Sequence, residues 1–119
     1  MMLDRAPISP ALVVPFQPSN PLYANLRFRA YVDGSHFAGA GEDELSAFFD
    51  LIELQIDTNQ PAEDVAATIE ATAALGADAL CDLIDWISAL DGAEPHMAAA
   101  IDRLHHIDPE RATERRAWL

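Results

Sequence analysis

Between Asp78 and Asp91 the chain reads DALCDLIDWISALD, and no other stretch limits the fold as much. Asp78, Asp82 and Asp85 are spaced four and three apart, which is one stripe of a helix. Leu80, Leu83, Ile84, Ile87 and Leu90 fill another face, widened by Ala79, Trp86 and Ala89. A helix that is apolar on most sides has to be covered on most sides. The stretch is therefore expected to be the central helix of a small bundle, with its aspartate line facing water.

Neighbouring segments extend that pattern. Leu45, Phe48, Phe49, Ile52 and Ile56 make a broad apolar stripe opposite Ser46, Asp50, Glu53 and Asp57. Glu42, Asp43 and Glu44 stand where a helix start favours negative charge. Pro61 opens a further helix, Gly76 ends it, and its inner line is Val65, Ile69, Thr72 and Ala73. Pro95 opens the next, with Met97, Ile101 and Leu104 inward. Asp108, Pro109 and Glu110 open a short arginine-rich helix that runs toward Trp118. The short connections imply antiparallel neighbours. The expected fold is all-α: a single domain over residues 1–119, built as a bundle of four to five helices with its core at 42–118.

The N-terminal part is different. Residues 1–21 contain Pro7, Pro10, Pro15, Pro18 and Pro21, so they are expected to form an extended arm. The arm carries the apolar run Leu12 to Phe16, which packs along its own bundle or docks on another chain. Residues 22–33 fit two readings. As a strand, Leu22, Ala24, Leu26, Phe28, Ala30 and Val32 face one way, and Tyr23, Asn25, Arg27, Arg29, Tyr31 and Asp33 the other. That strand needs a partner, either residues 11–16 or a second protomer. As a helix, the segment has Asn20 as N-cap, Pro21 at its first position and Gly34 as its stop. Economy with the helices downstream favours the helix. Residues 34–41, with three glycines, read as a loop.

Charge and chemistry narrow the function. The net charge is −13, with sixteen acidic residues and no Lys or Arg between residues 30 and 102. Such a surface repels phosphates, so direct nucleic-acid binding is not expected. It steers the protein toward basic partners or simply keeps it soluble. No apolar run approaches the roughly 20 residues that span a membrane. No basic start with an apolar core marks a signal peptide, and the one cysteine, Cys81, has no partner for a disulfide. These features favour the cytoplasm. His96, Asp102, His105 and His106 are the nearest thing to a ligand set, but Asp102 and His106 alone make a poor metal site. Cys81 has acidic neighbours and no nearby base, so it reads as a packing residue. The expectation is a protein that is not an enzyme, with no catalytic residues, no cofactor and no metal.

Two observations point to binding. The stripes at 42–56 and 78–90 are both wider than a five-helix chain covers easily, which suggests a homodimer whose arginine-bearing ends cross the acidic middle of the partner. The anchors for another protein are expected in the segments least needed by the helical core: Leu12, Phe16, Tyr23, Phe28 and Tyr31.

Size, acidity, an alanine- and aspartate-rich, lysine-free composition, and the stretches Leu45–Leu54 (LSAFFDLIEL) and Cys81–Trp86 (CDLIDW) carry a resemblance. The chain resembles the small pseudomonad antiactivators that block the quorum-sensing transcription factor LasR. That resemblance implies a homodimer that binds the regulator's ligand-binding domain and stops the regulator dimerising and binding DNA. It transfers no site residue, because no motif is shared. The competing expectation is an acidic immunity or phage-encoded inhibitor that mimics phosphates to neutralise a basic nuclease.

Overall fold

A three-stranded antiparallel sheet precedes five helices in the computed structural model, which describes residues 10–119. The strands are β1 (Ala11–Pro15), β2 (Phe28–Val32) and β3 (Ala38–Gly41), in spatial order β1-β2-β3. The helices are α1 (Glu44–Asp57), α2 (Ala62–Ala73), α3 (Ala77–Ile87), α4 (Glu94–His105) and α5 (Pro109–Arg116). The fold is mixed α and β, which corrects the all-α expectation.

The sheet accounts for each departure from that expectation. Residues 22–33 do not form a helix. Asn20 does cap, its Oδ1 accepting from the Leu22 amide at 3.0 Å, but the 3-10 turn it starts ends at Tyr23. Phe28–Val32 then follow the alternating pattern and pair with β1, Ala11 opposite Val32 and Pro15 opposite Phe28. The pairing partner is thus the apolar run of the N-terminal segment. The first part of the expected arm, with Pro7, lies outside the described residues; residues 11–15 are a strand of the fold itself.

Residues 38–41 were expected in a loop and form β3 instead. Their sequence, AGAG, has little strand propensity, and close packing explains it. Gly39 and Gly41 face α1 so closely that a Cβ on Gly39 would lie 2.6 Å from the Ala47 carbonyl oxygen. One on Gly41 would lie 2.5 Å from the Ala47 amide nitrogen. Only glycine allows a strand to rest on a helix backbone in this way. Gly34, at φ +86°, turns the chain between β2 and β3, and the Ser35 amide closes the turn on the Val32 carbonyl at 2.9 Å.

The inner face of the sheet and α1 share one small core: Ala30, Ala47, Phe48 and Leu51, with Ala11, Val13, Phe28 and Ala71 packed beside them. The other side of α1, through Ile52 and Ile56, joins a larger core with Val65, Ile69, Leu80, Leu83, Ile84, Ile87, Ile101 and Leu104. So α1 is covered on two sides within one chain. The wide apolar stripe of α1 is thus packed within one chain, while Leu75, Trp86, Ile107 and Trp118 stay exposed. On α3 the phasing is as expected for Leu80, Leu83, Ile84 and Ile87, all fully buried. Trp86 instead faces outward and stacks on Phe49 at 5.2 Å between ring centroids.

Helix α5 packs on α4, with Ala112 its one buried residue, and reaches α3 through its arginines. Arg111 reaches Asp78 at 2.6 Å, Arg115 reaches Asp85 at 3.2 Å, and Arg116 reaches Asp102 at 3.1 Å. The arginine-rich end therefore reaches the acidic line of its own chain. Of that line, Asp78 and Asp85 are bridged, while Asp82 stays exposed without an ion pair among the described residues.

Candidate interaction surface

Among the described residues no helix covers the outer face of the sheet. Alternation along β1 and β2 sends Ala11, Val13, Phe28, Ala30 and Val32 inward, and Leu12, Val14, Arg29 and Tyr31 outward. Leu12 stands directly opposite Tyr31, and Val14 opposite Arg29. The Phe16 amide donates to the Arg27 carbonyl at 2.9 Å and extends the same ladder beyond Pro15. Val14, Phe16, Arg29, Tyr31, Phe37 and Ala38 line a shallow cleft of about 310 Å³ on this face, with Ser35 and His36 at its rim.

Three of the expected anchors are brought together here. Leu12 and Tyr31 are cross-strand neighbours, and Phe16 lines the cleft with Tyr31. Leu12 is 38 % exposed. Tyr23 is not part of the cleft; it sits with Leu22 on the exposed 3-10 turn of the β1–β2 connection. Phe28 turns to the opposite face and packs on the core of Ala30, Ala47, Phe48 and Leu51. Val14, Arg29 and Phe37 were missed by sequence reasoning. The strand reading of residues 22–33 already put Arg27, Arg29 and Tyr31 on one side, so the signal existed for one of the three, Arg29.

The free edges of the sheet are managed. At β3 the Ala40 amide donates to Asp50 Oδ2 of α1 at 2.9 Å, which occupies an edge donor. At β1, Pro10 and Pro15 bracket the strand, and proline presents no amide to an incoming strand.

Elsewhere the side chains form structural contacts. A groove of about 730 Å³ between α3 and α5 is lined by Asp78, Asp82, Asp108, Glu110, Arg111 and Glu114, among others. Arg111 Nη1 lies 3.5 Å from the sulfur of Cys81, which is buried. The guanidinium is held above its ordinary pKa by that sulfur first and by Asp78 second, so it stays a fixed cation. An arginine thus adjoins Cys81, which stands between Leu80 and Asp82 in the chain. His105 and His106 are exposed, and His106 Nδ1 is 2.9 Å from the Asp102 carbonyl oxygen. His96 is half-buried, and loss of hydration lowers its pKa. Among the described residues no three His, Cys, Asp or Glu side chains are arranged to hold a metal ion. Among them, too, no helix is long and apolar enough to cross a membrane. Compared with known proteins, the chain matches no family model, no curated protein and no solved structure.

Proposed function

We propose that this protein is a non-catalytic inhibitory binding module that docks on a transcriptional regulator through the outer face of its sheet and keeps the regulator from dimerising on DNA. The observation that carries the docking face is the cluster of Leu12, Val14, Phe16 and Tyr31 on a sheet surface that no element among the described residues covers. Aromatic and aliphatic anchors on a rigid element are what a protein interface concentrates its energy in. The regulator as partner comes from the resemblance to the LasR antiactivators, as does the control of quorum sensing. Cytoplasmic residence belongs to the same proposal and suits a chain with one unpaired, buried cysteine.

The mechanism is steric competition. A regulator that must pair to span two half-sites loses DNA affinity when its pairing surface is covered. Charge guides encounter more than it fixes affinity, because apolar anchors are insensitive to screening.

The test mixes the purified protein with LasR and its DNA site, and reads complex mass and DNA release. The expected result is a complex that displaces DNA and weakens less than about tenfold as salt rises from about 50 to about 500 mM. The double variant Leu12→Ala, Tyr31→Ala should weaken it by more than that, while Asp82→Ser should leave it unchanged. No complex at any concentration sinks the regulator reading. A complex with a basic nuclease that high salt abolishes and the sheet variant does not touch would replace it by phosphate mimicry.

A further inference from the structure

The arginines among the described residues divide into two groups. Arg103 pairs with Glu70 at 2.9 Å, and Arg111, Arg115 and Arg116 each reach an aspartate on α3 or α4. Arg27 and Arg29 have no carboxylate within ion-pair distance among the described residues, although the net charge is −13. Both are exposed. Arg29 lines the outer cleft beside Tyr31 and Val14, and Arg27 continues the same side of the ladder next to Phe16. Among the described residues no carboxylate lines that cleft. The face that carries Leu12, Val14, Phe16 and Tyr31 therefore also carries arginines without an ion pair among the described residues.

We propose that this face takes an acidic, apolar segment of a partner protein, its aromatic or aliphatic side chains seated on Val14, Phe16 and Tyr31 and its carboxylates paired with Arg27 and Arg29. The proposal rests on the reading of this face as the docking surface and adds the chemistry of what docks. Planar guanidinium groups bind carboxylates through two parallel hydrogen bonds, and a flanking apolar contact strengthens them by excluding water. Other occupants fit less well. A nucleic acid is a polyanion along its whole length, so the acidic remainder of this chain repels it at long range. A second copy laid face to face would bring the arginines of both copies into one interface with no carboxylate between them, which is destabilising.

The probe is a short dye-labelled peptide that alternates phenylalanine and valine with glutamate, compared with its glutamine and lysine counterparts. Anisotropy gives affinity, and amide chemical shifts give the surface. The glutamate peptide should bind and shift the amides of Val14, Arg29 and Tyr31. The glutamine peptide should bind about tenfold more weakly or less. The variant Arg27→Gln, Arg29→Gln should fold normally and bind both peptides equally. Equal binding of the glutamate and glutamine peptides by the unaltered protein would overturn the proposal. So would tighter binding of the lysine peptide, shifts confined to α3–α5, no binding at all, or a single-stranded oligonucleotide displacing the peptide. If the regulator binds at the sheet face and the peptides do not, this inference fails and the proposed function stands. If the peptides bind as described and the regulator does not, the reverse holds.

Discussion

Replacing Gly39 by alanine puts a methyl group where the backbone of α1 already is. The added Cβ would sit 2.6 Å from the Ala47 carbonyl oxygen and 2.8 Å from the Leu51 Cα, against an ordinary contact of at least 3.4 Å. Neither neighbour is the end of a flexible side chain, so rotamer changes give no relief. Strand β3 has to lift from α1 by roughly the missing distance. That loosens the packing of Ala30, Phe48 and Leu51 and pulls the Ala40 amide from Asp50. Overpacking of this kind costs roughly 1–3 kcal/mol. A weakened hydrogen bond to a carboxylate adds about 1 kcal/mol. With about 2–4 kcal/mol lost, and roughly 5 °C for each in a chain of this size, the expected fall in Tm is about 10–20 °C. Ala38→Ser, on the opposite side of the same strand, should stay within about 0.5 kcal/mol of the parent. Thermal unfolding followed by circular dichroism measures both. A Gly39→Ala protein that melts within about 2 °C of the parent would show that β3 does not rest on α1, and the account of its sequence would fall with it.

Three other outcomes follow from the packing and the caps. Ile84→Asp should unfold the protein, because an unpaired charge in a fully buried position costs several kcal/mol, about the whole stability of a small domain; Asp82→Ser should not. Equal melting temperatures for the two would mean that α3 is phased wrongly. The Asp43 carboxyl caps α1, accepting from the Ser46 amide at 2.7 Å, and the Ser46 hydrogen bonds hold its pKa below the ordinary 3.8. A lowered folded pKa contributes stability above 3.8 that disappears as pH falls through the folded value. Asp43→Ala should therefore cost about 1 kcal/mol at neutral pH, and urea midpoints of the two proteins should converge as pH drops below that range; a constant gap contradicts the cap. Helix α5 is held by ion pairs and one buried alanine, so raising salt from about 50 to about 500 mM should speed amide exchange in α5 well before α1–α4. Uniform exchange at both salts would show that its ion pairs contribute little.

The helices were legible because each is long enough for a 3.6-residue period to repeat. Leu80, Leu83, Ile84 and Ile87 are buried as that period requires. The strands were not, for reasons that differ from one to the next. β1 is five residues bracketed by prolines, too short for its alternation to stand out. In residues 22–33 two patterns coexist, and the Asn20 cap is real but serves a single turn. The presence of an apolar partner nearby in the chain decided between them. β3 alternates in volume, not hydrophobicity, since Ala and Gly differ by the one methyl that α1 has no room for. In the candidate surface, Leu12, Phe16 and Tyr31 were legible as apolar groups the helices did not need. Phe28 was not, because its side depends on strand register. The partner of the arginine-rich end was illegible for another reason: a charge pattern does not say whether its complement lies in the same chain or the next.

The sheet pairs only segments that follow one another in the chain, β1 with β2 and β2 with β3. Its pairings are local in sequence, and closure entropy grows only slowly with loop length, so the longer β1–β2 connection adds little to the loss. Yet its inner face has no cover until α1 exists, and a small isolated sheet is marginal in water. During translation the strands leave the ribosome before the helix that completes them. Emergence of the chain through Asp57 is then the event that covers the apolar face of the sheet, and until then the nascent chain is most open to aggregation or to chaperones.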